Sequence, residues 1–262
     1  MRYLLSLLCL ILLGGCAGGP PIDRHFSSVS QDSRVRYVIL HYTDGDFPRA
    51  LSILTKGEVS SHYLIEDHPP KIYQLVDENR RAYHAGLSAW KNDAQLNFSS
   101  IGIEIVNPGY RDTPEGRVYF PYPPEQISLL IELLQQIVAR HHISPDNILG
   151  HNEIAPQRKV DPGPLFPWQR LAQAGLIRWP DPAAVAQRQQ YFAEQLPDIA
   201  WFQQKLVEHG YVLPCSGQLD DATRAMLISF QMKYRPRQFD GTPDAETAAI
   251  LDVLTSGTPT SP

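Results

Sequence analysis

Val35 to His41 (VRYVILH) is a run rich in β-branched residues that ends at a histidine, the composition of a strand. Ser100 to Val106 alternates more cleanly. In an extended chain Ile101, Ile103 and Ile105 take one face, and Gly102 and Glu104 take the other. Shorter strands are predicted at Ser61–Ile65 and Lys71–Val76, with the turn Asp67-His68-Pro69-Pro70 between them, and at Asn147–Gly150, which runs into His151. Glu125–His142 instead carries Ile127, Leu130, Ile131, Leu134 and Val138 at helical spacing. Shorter helices are predicted over Ala50–Leu54 and Pro167–Ala174. This interleaving predicts an α/β domain over residues 34–180, a mixed central sheet flanked by helices.

Beyond Arg178 the pattern changes. Pro180, Pro182 and several polar residues predict a linker over residues 181–196, and a small C-terminal three-helix domain follows over residues 197–256. Its helices are expected at Ile199–His209, Asp221–Met232 and Ala245–Leu254. The last two share a short repeat, Gly217-x-x-Asp220-x-x-Thr223 and Gly241-x-x-Asp244-x-x-Thr247. Glycine permits a tight turn and aspartate caps the helix that follows. On spacing alone, two ordinary capped helices account for it equally well.

The chain's beginning follows neither pattern. Met1-Arg2 is a positive start, and the apolar run Tyr3–Leu13 is too short for a membrane-spanning helix, which needs about 20 residues. It has the length of a signal-peptide core, and it ends in Leu13-Gly14-Gly15-Cys16. That tetrapeptide resembles a bacterial lipobox. The expectation is a lipoprotein signal peptide over residues 1–15, a lipid on Cys16 and a tether over residues 16–33. Ala17, where an aspartate would signal inner-membrane retention, implies a lipid-anchored protein on the periplasmic side of the outer membrane. With Cys9 removed and Cys16 lipidated, only Cys215 would remain, so no internal disulfide is expected. The hydrophobic fraction of 43% suffices for a core. The net charge of −5, with no basic stripe, argues against a nucleic-acid partner, and no protein partner is indicated.

Four polar positions stand out. His41 and His151 end strands, Asp161 lies in the proline-stiffened Lys159-Val160-Asp161-Pro162-Gly163-Pro164, and Glu104 faces away from its strand's isoleucines. Two histidines and a carboxylate suit Zn²⁺ with a fourth position open to water. Strand ends and the loops beyond them are where α/β sheets build sites. Lys159 and Asp161, two residues apart, can face one site in an extended loop. The spacing lacks a compact metal motif, however. The same residues could be hydrogen-bonded or surface histidines, the solvent side of a strand and a loop charge. His25, His68, His141, His142 and His209 read as structural or surface residues.

An ordered series of segments adds to this: His41-Tyr42-Thr43, Val59 to Ile65, Ala82-Tyr83-His84-Ala85-Gly86, Ser88-Ala89-Trp90, Ser99 to Glu104, Gly150-His151 and Pro156 to Pro164. Over residues 35–175 the chain resembles the zinc N-acetylmuramoyl-L-alanine amidases related to phage amidases and peptidoglycan recognition proteins, and within them the AmiD-type outer-membrane lipoproteins. The resemblance implies that His41, His151 and Asp161 bind zinc and that Glu104 and Lys159 assist catalysis. The implied substrate is peptidoglycan or its muropeptides, cut between N-acetylmuramic acid and L-alanine. It places His62 near the site without making it a ligand, and His84 and Trp90 in the substrate groove. Packing under the loop is the alternative for both. The C-terminal helices resemble a peptidoglycan-binding domain through His209-Gly210-Tyr211, Leu219 to Thr223, Phe230-Gln231 and Asp240-Gly241. Two other functions fit the fold: a peptidoglycan receptor without turnover, which has no need of the Glu104 and Lys159 pair, and a zinc peptidase cutting within the stem peptide.

Overall fold

The computed structural model describes residue 20 and residues 22–256; Leu13-Gly14-Gly15-Cys16 and Ala17 lie outside the described residues. Residues 22–32 have no helix or strand and are exposed. From Ser33 onward the chain is one compact unit. Its elements are β1 (Tyr37–Tyr42), α1 (Phe47–Lys56), β2 (Tyr63–Asp67), β3 (Pro70–Gln74), β4 (Ala89–Trp90), β5 (Asp93–Ala94), β6 (Ser100–Ile105), β7 (Tyr110–Thr113), β8 (Gly116–Tyr119), α2 (Pro124–His141), β9 (Ile148–Gly150), α3 (His151–Ile154), α4 (Trp168–Gln173), α5 (Pro182–Glu194), α6 (Ile199–His209), α7 (Asp221–Tyr234) and α8 (Ala245–Thr255).

Five strands form a mixed sheet in the order β3-β2-β6-β1-β9. β1 is parallel to β6 and β9, and β6 to β2, while β3 returns antiparallel to β2. The alternation in β6 sorts as the sequence predicts. Ile101, Ile103 and Ile105 join Val38, Leu40 and Ile65 in a buried layer against Ile127, Leu130, Leu134 and Ile137 of α2. Each such side chain, fully withdrawn from water, contributes about 1.5–3 kcal/mol. The stripe of α2 is rotated from the expected one: Leu133 and Ile137 are buried, and Ile131 and Val138 only flank the core. Gln126, fully buried in the first turn of α2, donates to the carbonyls of Ile65 at 3.2 Å and Val106 at 2.9 Å, fixing the helix to the middle of β2 and the end of β6.

The sheet's other face carries Tyr37, Ile39 and Leu149, which share one buried cluster with Trp90, Ile154, Phe202, Leu227 and Phe230. The C-terminal helices thus cover the second face of the sheet. Residues 182–194, expected to link the domains, form α5, which packs on α8. The reason is local. Asp181 accepts from the backbone N–H groups of Ala183 and Ala184, and Pro182 stands at the first helical position, where its missing N–H costs nothing. Pro182, read with Pro180 as the mark of a linker, starts a helix.

The Gly-x-x-Asp-x-x-Thr repeat is a structural one. Asp220 and Asp244 cap α7 and α8 by accepting from the N–H groups of Thr223 and Thr247, each at 2.8 Å. Behind each cap lies a fully buried glutamine. Gln203 donates to the Thr223 hydroxyl and the Gln218 carbonyl and accepts from the Gly217 N–H. Gln231 does the same with Thr247, Thr242 and Gly241. Each turn's polar groups are therefore satisfied inside the helical layer, as burial requires.

Candidate metal centre

Three strand ends meet at one point. His41 is in register with Glu104 across the parallel pair β1–β6. Leu40 is in register with Gly150 of β9, and His151 follows as the first residue of α3. The loop after α3 brings back Asp161, whose carbonyl accepts from the Asn152 backbone N–H at 2.9 Å. His41, His151 and Asp161 are all buried, and their donor atoms converge. The two histidine Nδ1 atoms are 2.9 Å apart, and each lies 3.0 Å from Asp161 Oδ2.

The hydrogen bonds behind the rings fix their tautomers. Ser100 Oγ donates to the Leu96 carbonyl at 2.6 Å, so it accepts from His84 Nε2 at 3.2 Å. His84 Nδ1 is then an acceptor, and His41 Nε2, 3.0 Å away, donates to it. His151 Nε2 donates to the Ala85 carbonyl at 3.2 Å. Both histidines therefore turn unprotonated Nδ1 lone pairs toward each other and toward a carboxylate oxygen. Three lone pairs converging in a buried space repel one another unless a cation lies between them, so the donor set fits a metal ion. Burial and the neighbouring His151 push His41 down to about 4, which keeps it neutral. Burial acts to raise the Asp161 carboxyl, yet beside the two histidines it is held below its ordinary range.

Glu104 and Lys159 line the same cleft, which has a volume of about 340 Å³. Glu104 Oε2 is sealed from solvent and has no hydrogen-bond partner. Burial, and then the Asp161 charge, raise the Glu104 carboxyl well above its ordinary range, while Lys159 pulls it back. His62 is fully buried but accepts from the Gly102 N–H and donates to the Arg80 carbonyl, so both its nitrogens are occupied away from the cluster.

The two residues assigned to a substrate groove separate. His84 borders the cleft as well as backing His41. Gly102 makes room for it, since a Cβ there would come within 2.4 Å of the His84 ring. Trp90 does not reach the cleft. It is 1% exposed and packs edge-on against His209 and Tyr211 of the C-terminal layer. Gly210 seats this contact, because a Cβ there would lie 2.5 Å from the indole.

Sequence patterning missed two parts of the site. Ser100 continues the Gly102–Glu104 face of β6, and that period of two was the available signal. The β7–β8 hairpin, which brings Tyr110 to the cleft, was not predicted although Pro114-Glu115-Gly116 marks its turn.

The sequence pattern of the N-acetylmuramoyl-L-alanine amidase family matches residues 31–164, and that of a putative peptidoglycan-binding domain matches residues 195–251. The N-acetylmuramoyl-L-alanine amidase AmiD of Escherichia coli is 41% identical over 97% of this chain and 97% of its own length. Its structure in complex with anhydro-N-acetylmuramic acid-L-Ala-D-γ-Glu-L-Lys superposes with a TM-score of 0.80 at 39% identity, over 89% of this chain and 93% of that one. The crystal structure of AmpDh3 from Pseudomonas aeruginosa gives a TM-score of 0.85 at 38% identity, over 92% of this chain and 100% of that one.

Proposed function

This chain belongs to the N-acetylmuramoyl-L-alanine amidase family, and we infer that it hydrolyses the amide between N-acetylmuramic acid and L-alanine in muropeptides with the help of Zn²⁺ held by His41, His151 and Asp161. The observation that carries this reading is the pairing of a converged lone-pair triad with an unpartnered, sealed carboxylate oxygen, that of Glu104, in one cleft. Bound Zn²⁺ supplies Lewis-acid polarisation of the scissile carbonyl and lowers the pKa of water.

The protein's own groups do the rest. Glu104 takes the proton of the attacking water and returns it to the leaving amine of L-alanine. Lys159, in the same cleft, stabilises the negative charge that develops on the carbonyl oxygen. His84 keeps His41 in the tautomer that leaves Nδ1 bare and forms part of the substrate wall.

Leu13-Gly14-Gly15-Cys16 supports an address as well: an acyl-bearing Cys16 holding the enzyme on the periplasmic face of the outer membrane, beside the polymer it cuts. Several acyl chains give lasting attachment where a single one does not. The match of residues 195–251 to a putative peptidoglycan-binding domain fits the same substrate.

Digestion of purified sacculi and of anhydro-muropeptides, with and without a chelator, followed by mass analysis, tests the reading. Release of stem peptides beginning with L-alanine, stopped by chelation and restored by zinc, is the expected result. Products cut within the stem peptide, or full activity in metal-free protein, would overturn it.

A further inference from the structure

The segment that carries His151 is a single turn of helix, too short to hold its own shape in water. It is held by α7. Lys233 Nζ lies 3.0 Å from both carboxylate oxygens of Glu153 and 3.4 Å from the Ile148 carbonyl. Glu153 Oε2 in turn accepts from the Gly150 N–H at 2.7 Å. One helical turn earlier, Ser229 Oγ donates to the Asn152 carbonyl at 2.9 Å. The residues on both sides of His151 are thus tied directly or through one side chain to α7, and Asn152 is also tied to Asp161. Lys233 and Glu153 are 5% and 1% exposed, and the Trp168 ring covers the ammonium at 4.3 Å.

A buried ion pair is poor evidence of stabilisation, because desolvation offsets much of the attraction. What this one fixes is direction. His151 Nδ1 must point between His41 and Asp161 while Nε2 reaches the Ala85 carbonyl, and both conditions depend on the tilt of α3. We propose that α7 is an outer part of the metal site: Lys233, acting through Glu153, is a positioning residue for His151, and the C-terminal helices thereby set the metal affinity of the amidase centre. The proposal rests on the reading of His41, His151 and Asp161 as zinc ligands.

Lys233→Met alone strands a buried carboxylate, which penalises folding by itself. The informative variant is Lys233→Met with Glu153→Gln, since the neutral glutamine can still accept from Gly150. Ile250→Ala, in the buried face of α8, serves as a control that weakens the same helical layer elsewhere. For each full-length protein, the zinc dissociation constant is measured by competition with a chromophoric chelator, and Tm, kcat and KM at saturating zinc are measured beside it.

The double variant should lose zinc affinity by about 10–100-fold, the usual effect of removing outer-shell support. Its kcat should fall while KM stays within about twofold, because substrate contacts are untouched. Ile250→Ala should lower Tm and keep wild-type zinc affinity. Zinc bound equally by the double variant and the wild type overturns the role of Lys233, as does an equal loss of affinity in Ile250→Ala. Failure of the wild type itself to bind zinc is a different result, which overturns the ligand assignment.

Discussion

His41 stands directly opposite Glu104 on neighbouring parallel strands, so one backbone register places a candidate metal ligand beside a candidate base. A slip of one residue would send Glu104 into the isoleucine layer. Glu104→Gln preserves shape and removes the base. It should retain zinc and lose kcat by roughly two to four orders of magnitude, the range expected for a general base. Stability should hold or rise, since Glu104 Oε2, sealed from solvent without a partner, becomes part of a neutral amide. Zinc content, Tm and kcat on a muropeptide check this. Turnover at the wild-type rate with zinc intact would reduce Glu104 to the polar face of its strand.

His84 has two faces, and they predict different defects. As the acceptor that fixes the His41 tautomer, its loss should weaken zinc binding by about 10–100-fold. As a wall of the cleft, its loss should raise KM. His84→Ala should do the first more than the second. Gly102→Ala, which drives a methyl into the His84 ring without changing it, should show the same weakening of zinc binding. Chelator competition separates the two roles. Unchanged affinity in both variants would leave His84 to the substrate alone.

The parts of this arrangement that period and residue type control were legible before the structure. The isoleucine face of β6, the strand-end histidines and the aspartate caps all express a local rule, and each is found where it was expected. The parts that failed depend on what an element meets. Pro182 reads as part of a linker until Asp181 is seen to cap the helix that begins there. Trp90 lies in a family-like segment beside the site, yet its partners, His209 and Tyr211, are more than a hundred residues away. Lys233 and Glu153 carry no pattern at all, because an ion pair between helices distant in sequence has no period to detect.

The proposed address depends on one sulfur. Wild-type protein expressed in a Gram-negative host should fractionate with the outer membrane and incorporate labelled fatty acid, because Leu13-Gly14-Gly15-Cys16 resembles a lipobox and Ala17 carries no retention signal. Cys16→Ser should lose the label. Soluble wild-type protein in the periplasm without lipid would refute the anchor while leaving the amidase site untouched.

His209 ties acid stability to the packing of the C-terminal helices on the sheet. Its ring is enclosed by Trp90, Tyr211, Phe230 and Tyr234. Burial first, then the cations of Lys233, Lys91 and Arg178, push it from 6.5 down to about 3. The unfolded chain therefore binds this proton at a higher pH than the folded one. The group's contribution is fully present above about pH 6.5 and is lost progressively as pH falls toward 3. Between pH 7.5 and pH 5 that amounts to about 2 kcal/mol, at roughly 1.4 kcal/mol per pH unit below the unfolded value. His41, His62 and His84 are shifted in the same sense, so the test is a difference between two proteins. His209→Phe keeps an aromatic ring in the cluster and removes the proton site. Denaturant melts at the two pH values should show the acid-dependent loss reduced by about 2 kcal/mol in the variant. An unchanged difference would mean that His209 takes up its proton inside the folded protein as readily as outside it.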